Sequence, residues 1–183
     1  MIINHSISAL PIPEFETEGR VVGGSNAASG QFPYQVSLRS SANFHFCGAS
    51  IINTRWVLSA AHCTVGRTTA NTRVVVGTHL LNSGGLSHAS SLIRNHPSYN
   101  ANTLANDVSV VQTASTITYT NLVQPIALGQ AVVGGGVSAR LTGWGQTSVS
   151  IIHFSRFTCT YLQIIILFYS IQDLLQIIYN TFY

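Results

Sequence analysis

Lysine is absent from the 183 residues, and acidic side chains are nearly so, numbering five against eight arginines. The arginines lie apart from one another, from Arg20 to Arg156, so the net charge of +3 reflects a shortage of acids and not a basic cluster. That distribution argues against a nucleic-acid-binding surface, which needs cations gathered on one face. Long apolar runs are missing too. The most hydrophobic stretch, Ile164 to Tyr169, is bracketed by Gln163 and Ser170, far short of the ~20 residues a helix needs to cross a bilayer. A membrane partner is therefore not expected. Met1 to Leu10 has no basic start and only an interrupted apolar stretch, so it does not read as a secretory signal.

Between Val21 and Val149 the only acid is Asp107. An acid kept where almost none are used points to a specific task, although a surface turn after Asn106 would also explain it. Cysteine is scarce as well, standing at 47, 63 and 159. In an extracellular setting an odd count implies one pair and one leftover. Cys47 and Cys63, both in strongly patterned sequence, are the natural pair, and a loop of that length would stabilise by about 3 kcal/mol if oxidised.

What the chain has in abundance is Gly, Ser, Asn and Thr between short β-rich runs. The runs Gln35 to Arg39, Ala49 to Ile52, Arg55 to Ser59, Arg73 to Val76, Ser90 to Arg94 and Val108 to Val111 read as strands. Gly77, Asn82 to Gly85, Asn95 to Asn102 and Gly134 to Gly136 read as the loops between them. The pattern is that of an all-β barrel or sandwich, and Arg20 to about Thr147 is long enough to bury a sizeable core. Ahead of it, residues 1–20 form a leader marked by Pro11, Pro13, Glu14, Glu16 and Glu18, which reads as extended and exposed.

After Thr147 the composition breaks: Ser150 to Tyr183 contains no Gly, Ala, Pro or Val. Ile164, Leu167, Ile171, Leu174 and Ile178 follow a helical rhythm. The preferred reading is that residues 148–183 are a foreign apolar tail, rich in residues with AT-rich codons, as expected if coding sequence ran into an intron.

Three motifs carry chemistry. Cys47-Gly48-Ala49-Ser50, Trp56-Val57-Leu58 and Ser59-Ala60-Ala61-His62-Cys63 follow one another closely; Asn106-Asp107-Val108-Ser109-Val110-Val111 places the lone acid at the head of an apolar strand; Arg20-Val21-Val22-Gly23-Gly24 precedes both. Together they resemble the chymotrypsin/trypsin family of serine proteases. Pro33 to Leu38, His45-Phe46, His96-Pro97-Ser98-Tyr99, Gln124-Pro125-Ile126 and Thr142-Gly143-Trp144-Gly145 fall in family order too, so the resemblance spans Arg20 to about Thr147.

The resemblance implies a trypsin-like double β-barrel, with the first barrel essentially complete and the second represented only by an opening strand at Ala139 to Gly145. It implies that His62 is the general base of a Ser-His-Asp triad, oriented by Asp107. It implies a Cys47–Cys63 disulfide tying the histidine loop to the barrel, and activation by a protease cutting after Arg20 to free the ammonium of Val21. By the same analogy Tyr99 lies near the substrate groove. The substrates implied are proteins or peptides, the setting extracellular, and no cofactor or metal is required.

The family's nucleophile sits in Gly-Asp-Ser-Gly-Gly downstream of Gly143-Trp144-Gly145, and no such sequence follows. Ser83-Gly84-Gly85 lacks the preceding aspartate and falls where a surface loop is expected. The expectation is therefore a truncated or mis-predicted endopeptidase without nucleophile, oxyanion hole or specificity pocket, and so inactive. Two other readings stand beside it: a non-catalytic protease homologue acting as a protein-binding module, and a zinc module using His45, Cys47, His62 and Cys63.

Overall fold

The computed structural model describes residues 25–129 and 140–145. The leader, the Arg20–Val21 bond, the Gly134 to Gly136 loop, Cys159 and the apolar tail lie outside the described residues. Six strands appear: β1 (Gln35–Arg39), β2 (His45–Ile51), β3 (Trp56–Ser59), β4 (Arg73–Val76), β5 (Leu86–Asn95) and β6 (Ser109–Thr113). A four-residue helix, α1 (Ala61–Thr64), and a 3-10 turn at Thr69–Asn71 sit between β3 and β4.

All six strands pair antiparallel in the order β1-β2-β3-β6-β5-β4, and β4 returns to β1 to close a barrel. Closure leaves no strand edge free within the ring, which removes the usual site of edge-to-edge association. The interior follows the strand period of two. Val36 and Leu38 of β1 alternate with Gln35, Ser37 and Arg39, and the first pair meets Val74, Val76, Ala49 and Ile51 in the main core. Along β3, Val57 points inward while Trp56 and Leu58 join Val108 and Val110 in a second apolar cluster. Trp56 thus packs one wall of the barrel from outside.

The six strands read from the β-rich runs between Gln35 and Val111 all form. β1 and β4 occupy the expected residues, while β2 and β5 run longer, starting at His45 and Leu86. Arg140 to Gly145 is different, because no strand forms there. A strand needs a neighbour to satisfy its backbone, and this segment instead lies over the outer face of β1 by side-chain contacts. Thr142 Oγ1 donates to Gln35 Oε1 at 2.7 Å, and Trp144 Nε1 donates to the carbonyl of His79 at 2.9 Å.

Candidate active site

The site is built where β3 ends and β6 begins. Ser59 pairs with Ser109 across these strands, so the residues just after the one and just before the other are brought side by side. Two hydroxyls fasten the junction: Ser59 Oγ donates to the carbonyl of Gly48 and Ser109 Oγ to that of Ala60, each at 2.9 Å. The chain then turns into α1, which carries His62.

Asp107 arrives from the other side. Asn106 adopts a left-handed φ of 57°, a conformation asparagine tolerates better than most residues. Its Nδ2 donates to the carbonyl of Ser98 at 2.9 Å, and the amide of Val108 donates to the carbonyl of Asn106 at 2.8 Å. This tight bend turns Asp107 into the protein, where it is 1 % exposed.

There the carboxylate meets His62 twice. Oδ1 accepts from the His62 backbone amide at 2.7 Å, and Oδ2 accepts from Nδ1 of the ring at 2.6 Å. A carboxylate has no proton to give, so Nδ1 carries the hydrogen and Nε2 is left with its lone pair. Among the described residues Nε2 meets only the sulfur of Cys63, at 3.4 Å. The ring keeps 28 % of its side-chain surface in solvent. A neutral imidazole in this tautomer, held from behind and open in front, can accept a proton from a hydroxyl placed before it.

Cys47 and Cys63 are disulfide-bonded, with Cα atoms 6.1 Å apart. The bridge anchors α1 to β2 beside the histidine. Cys47, His62 and Cys63 come within 4.8 Å of one another, but sulfurs joined to each other are not thiolates and make poor metal ligands. His45 is engaged elsewhere, its Nδ1 on Ser37 Oγ at 2.8 Å. The four-residue zinc site expected as an alternative is thus not assembled. Ser83 lies in the β4–β5 loop, its carbonyl accepting from Thr78 Oγ1 at 2.9 Å. Tyr99 sits in the loop that ends at Asp107, its amide donating to His96.

One network escaped the sequence. Arg39 is 2 % exposed, and its Nε donates to Ser37 Oγ at 2.9 Å. The same hydroxyl is hydrogen-bonded to His45 Nδ1 at 2.8 Å, so Ser37 links the guanidinium to the imidazole. Burial, followed by the charge of Arg39, holds the His45 pKa down at about 4. Trp144 covers the ring edge-on, with centroids 5.3 Å apart. The only hint in the sequence was a charged residue ending an apolar strand.

Comparison with known proteins agrees with this geometry. A family model described as Trypsin matches residues 21–165, running past the composition break expected near residue 147. The chain is 37 % identical over 133 residues to Trypsin alpha-4 of Lucilia cuprina, covering 73 % of this chain and 52 % of that protein. It is 39 % identical over 132 residues to Trypsin theta of Drosophila melanogaster, covering 72 % and 50 %. Trypsin delta of Drosophila erecta is 34 % identical over 133 residues, covering 73 % and 52 %. The chain therefore spans about half the length of the curated relatives it matches. With the motif order, the closed barrel and the family match in agreement, the chain belongs to the trypsin family of chymotrypsin-like serine proteases.

Proposed function

We propose that these residues form the base-bearing part of a serine-type endopeptidase acting on proteins or peptides. The single observation that carries this reading is the double hydrogen bond from Asp107 to His62, which fixes the tautomer that a general base needs. In that role His62 takes a proton from an attacking serine hydroxyl and returns it to the leaving amine, while Asp107 steadies the imidazolium. No Gly-Asp-Ser-Gly-Gly stands in the 183 residues. A polypeptide of this sequence therefore has the base and its orienting acid but no nucleophile or oxyanion hole of the family's form, and does not acylate.

The domain layout follows: a leader over 1–20, the partial protease domain over 21–147 and the apolar tail over 148–183. Arg20–Val21 is the bond an activating protease cuts. The extracellular setting is supported by the Cys47–Cys63 bridge, since disulfides persist in oxidising compartments. Among the described residues no helix is long and apolar enough to cross a membrane.

The test is to incubate the purified chain with an organophosphate-type active-site probe and a set of peptide substrates. No time-dependent labelling of any serine is expected, and no hydrolysis. Labelling traced to a serine would overturn the inactive reading. A second reading, a non-catalytic homologue that binds a protein partner, is favoured by the closure of the barrel within Gln35 to Thr113. Reading the transcript across the codons for Gln146 to Ser150 separates the two.

A further inference from the structure

Because lysine is absent, arginines are the only bonds in this chain open to a protease that cuts after basic residues. Such an enzyme takes its substrate as a released, extended segment with the basic side chain inserted in a pocket, so structured backbone must open first. Three of the described arginines are protected by the barrel itself. Arg39 is paired on both sides, to His45 of β2 and Arg73 of β4. Arg73 is also paired to Ala89 of β5, and Arg94 to Val110 of β6.

Arg55, Arg67 and Arg140 lie outside the strands; Arg55 is fastened by its Nε to the carbonyl of Thr113 at 2.8 Å, and Arg67 stands between α1 and the 3-10 turn. Its neighbours Val65, Gly66 and Thr68 are exposed, and Gly66 has a φ of +75° with open space where a Cβ would stand. The backbone here is within reach of a protease. Across the bond, the amide of Thr68 donates to Asn71 Oδ1 at 3.1 Å, and the Arg67 side chain is held as well. Its guanidinium carbon lies 3.4 Å from the centroid of the Phe46 ring, and Nε donates to the carbonyl of Cys63 at 3.2 Å. Its amide also donates to the carbonyl of Thr64 at 3.0 Å.

We propose that Arg67–Thr68 is a latent cleavage site for arginine-specific endoproteases, masked by the stacking of Arg67 on Phe46. An arginine laid over an aromatic face must leave it before entering a specificity pocket, so the stack sets how often the bond is presented. Hydrolysis would break the Arg67 carbonyl carbon to Thr68 nitrogen bond, water giving its hydroxyl to the carbon and a proton to the nitrogen. The cut would separate α1 from β4 in the covalent chain. The Cys47–Cys63 bridge would still tether α1 to β2, so His62 would be loosened without being lost. Cleavage here is thus a route by which a second arginine-specific protease disorders the site.

The experiment is limited digestion of the full, oxidised chain with trypsin as the probe, read by mass spectrometry after reduction. In the unsubstituted chain the cut after Arg20 is expected well before any cut after Arg67. Phe46→Leu, which removes the aromatic face, is expected to speed cleavage after Arg67 about tenfold, with Arg39, Arg73 and Arg94 still uncut. Phe46→Tyr, which keeps the face, is expected to match the unsubstituted chain. Adding Arg67→Gln to Phe46→Leu should abolish the new fragments. Cleavage after Arg67 as fast as after Arg20 in the unsubstituted chain would overturn the proposal, as would an unchanged rate in Phe46→Leu. If Phe46→Leu is cut after Arg39, Arg73 and Arg94 together with Arg67, the ring acts through the whole barrel and the masking claim fails. Rapid cleavage of Phe46→Tyr after Arg67 would count against it equally.

Discussion

Asp107 holds both the ring and the backbone of His62, with Oδ2 on Nδ1 at 2.6 Å and Oδ1 on the amide nitrogen at 2.7 Å. The two contacts have different work to do. The first selects the tautomer, and the second fixes the first turn of α1 relative to β6. A residue only 1 % exposed does both.

Replacing Asp107 by asparagine separates these roles. If the amide oxygen keeps the backbone contact, the amide nitrogen faces Nδ1 and donates to it, so the ring proton moves to Nε2. Nitrogen-resolved NMR of the imidazole is expected to show Nδ1 protonated in the parent chain and Nε2 protonated in Asp107→Asn at neutral pH. Stability should fall by about 1–2 kcal/mol through the weaker neutral hydrogen bonds. An unchanged tautomer would remove the basis for calling Asp107 the orienting residue.

The Cys47–Cys63 bridge closes a loop with a sequence separation of 16. In the chain-entropy account a loop of that size is worth about 3 kcal/mol. Replacing both cysteines by alanine should lower the unfolding free energy by about that amount in urea titration. A much smaller loss would mean that α1 is held chiefly by Asp107 and by the Thr64 to Asn95 hydrogen bond.

Two glycines give a matched comparison of backbone strain and crowding. Gly66 and Gly85 have φ of +75° and +80°, but a Cβ at Gly66 meets nothing within 4 Å. At Gly85 it would stand 2.8 Å from Thr78 Cγ2, 2.9 Å from Val75 Cγ1 and 3.0 Å from the Val76 carbonyl oxygen. Gly66→Ala should therefore cost about 1 kcal/mol, the left-handed penalty alone. Gly85→Ala should cost a further ~1–3 kcal/mol from overpacking. Urea midpoints of the two variants check the difference.

The sequence disclosed those parts of the molecule that depend on local pattern. β1 and β4 were legible because each is a compact β-rich run; β1 begins after Phe32-Pro33-Tyr34, and β4 is followed by Gly77. β5 was read short, since Ser87, Ser90 and Ser91 dilute its apolar alternation, and its pairing with β4 and β6 supplies the order that propensity does not. The opening strand expected at Ala139 to Gly145 was read from family order, without a pairing partner to form it. His62 and Asp107 were legible from their surrounding motifs, but their contact spans 45 positions and depends on β3 lying beside β6. The Arg39–Ser37–His45 chain was invisible for the same reason: Arg39 and Ser37 stand two apart on β1, but His45 reaches them only through the register of β1 on β2.

That chain makes stability depend on pH. His45 has a pKa of about 4 in the folded barrel, against an ordinary value near ~6.5 in an unfolded chain. Above the ordinary value both states hold the ring neutral, and it contributes no pH dependence. As pH falls through the interval between the two values, the unfolded chain takes up a proton that the folded one refuses, so stability declines; below about 4 the decline stops. Allowing for the ring's partial exposure to solvent, the loss across this window should be about 2 kcal/mol. Burial lowers the His88 pKa as well, and the same sign of effect adds to the total. Urea titrations near neutrality and near pH 4.5, on the parent chain and on His45→Gln, isolate the first contribution. The variant keeps a hydrogen-bonding partner for the Ser37 hydroxyl but cannot titrate, so its stability should fall less on acidification. Equal slopes would mean that burial and the charge of Arg39 do not hold the ring neutral, and that His45 protonates in the folded state as readily as in the unfolded one.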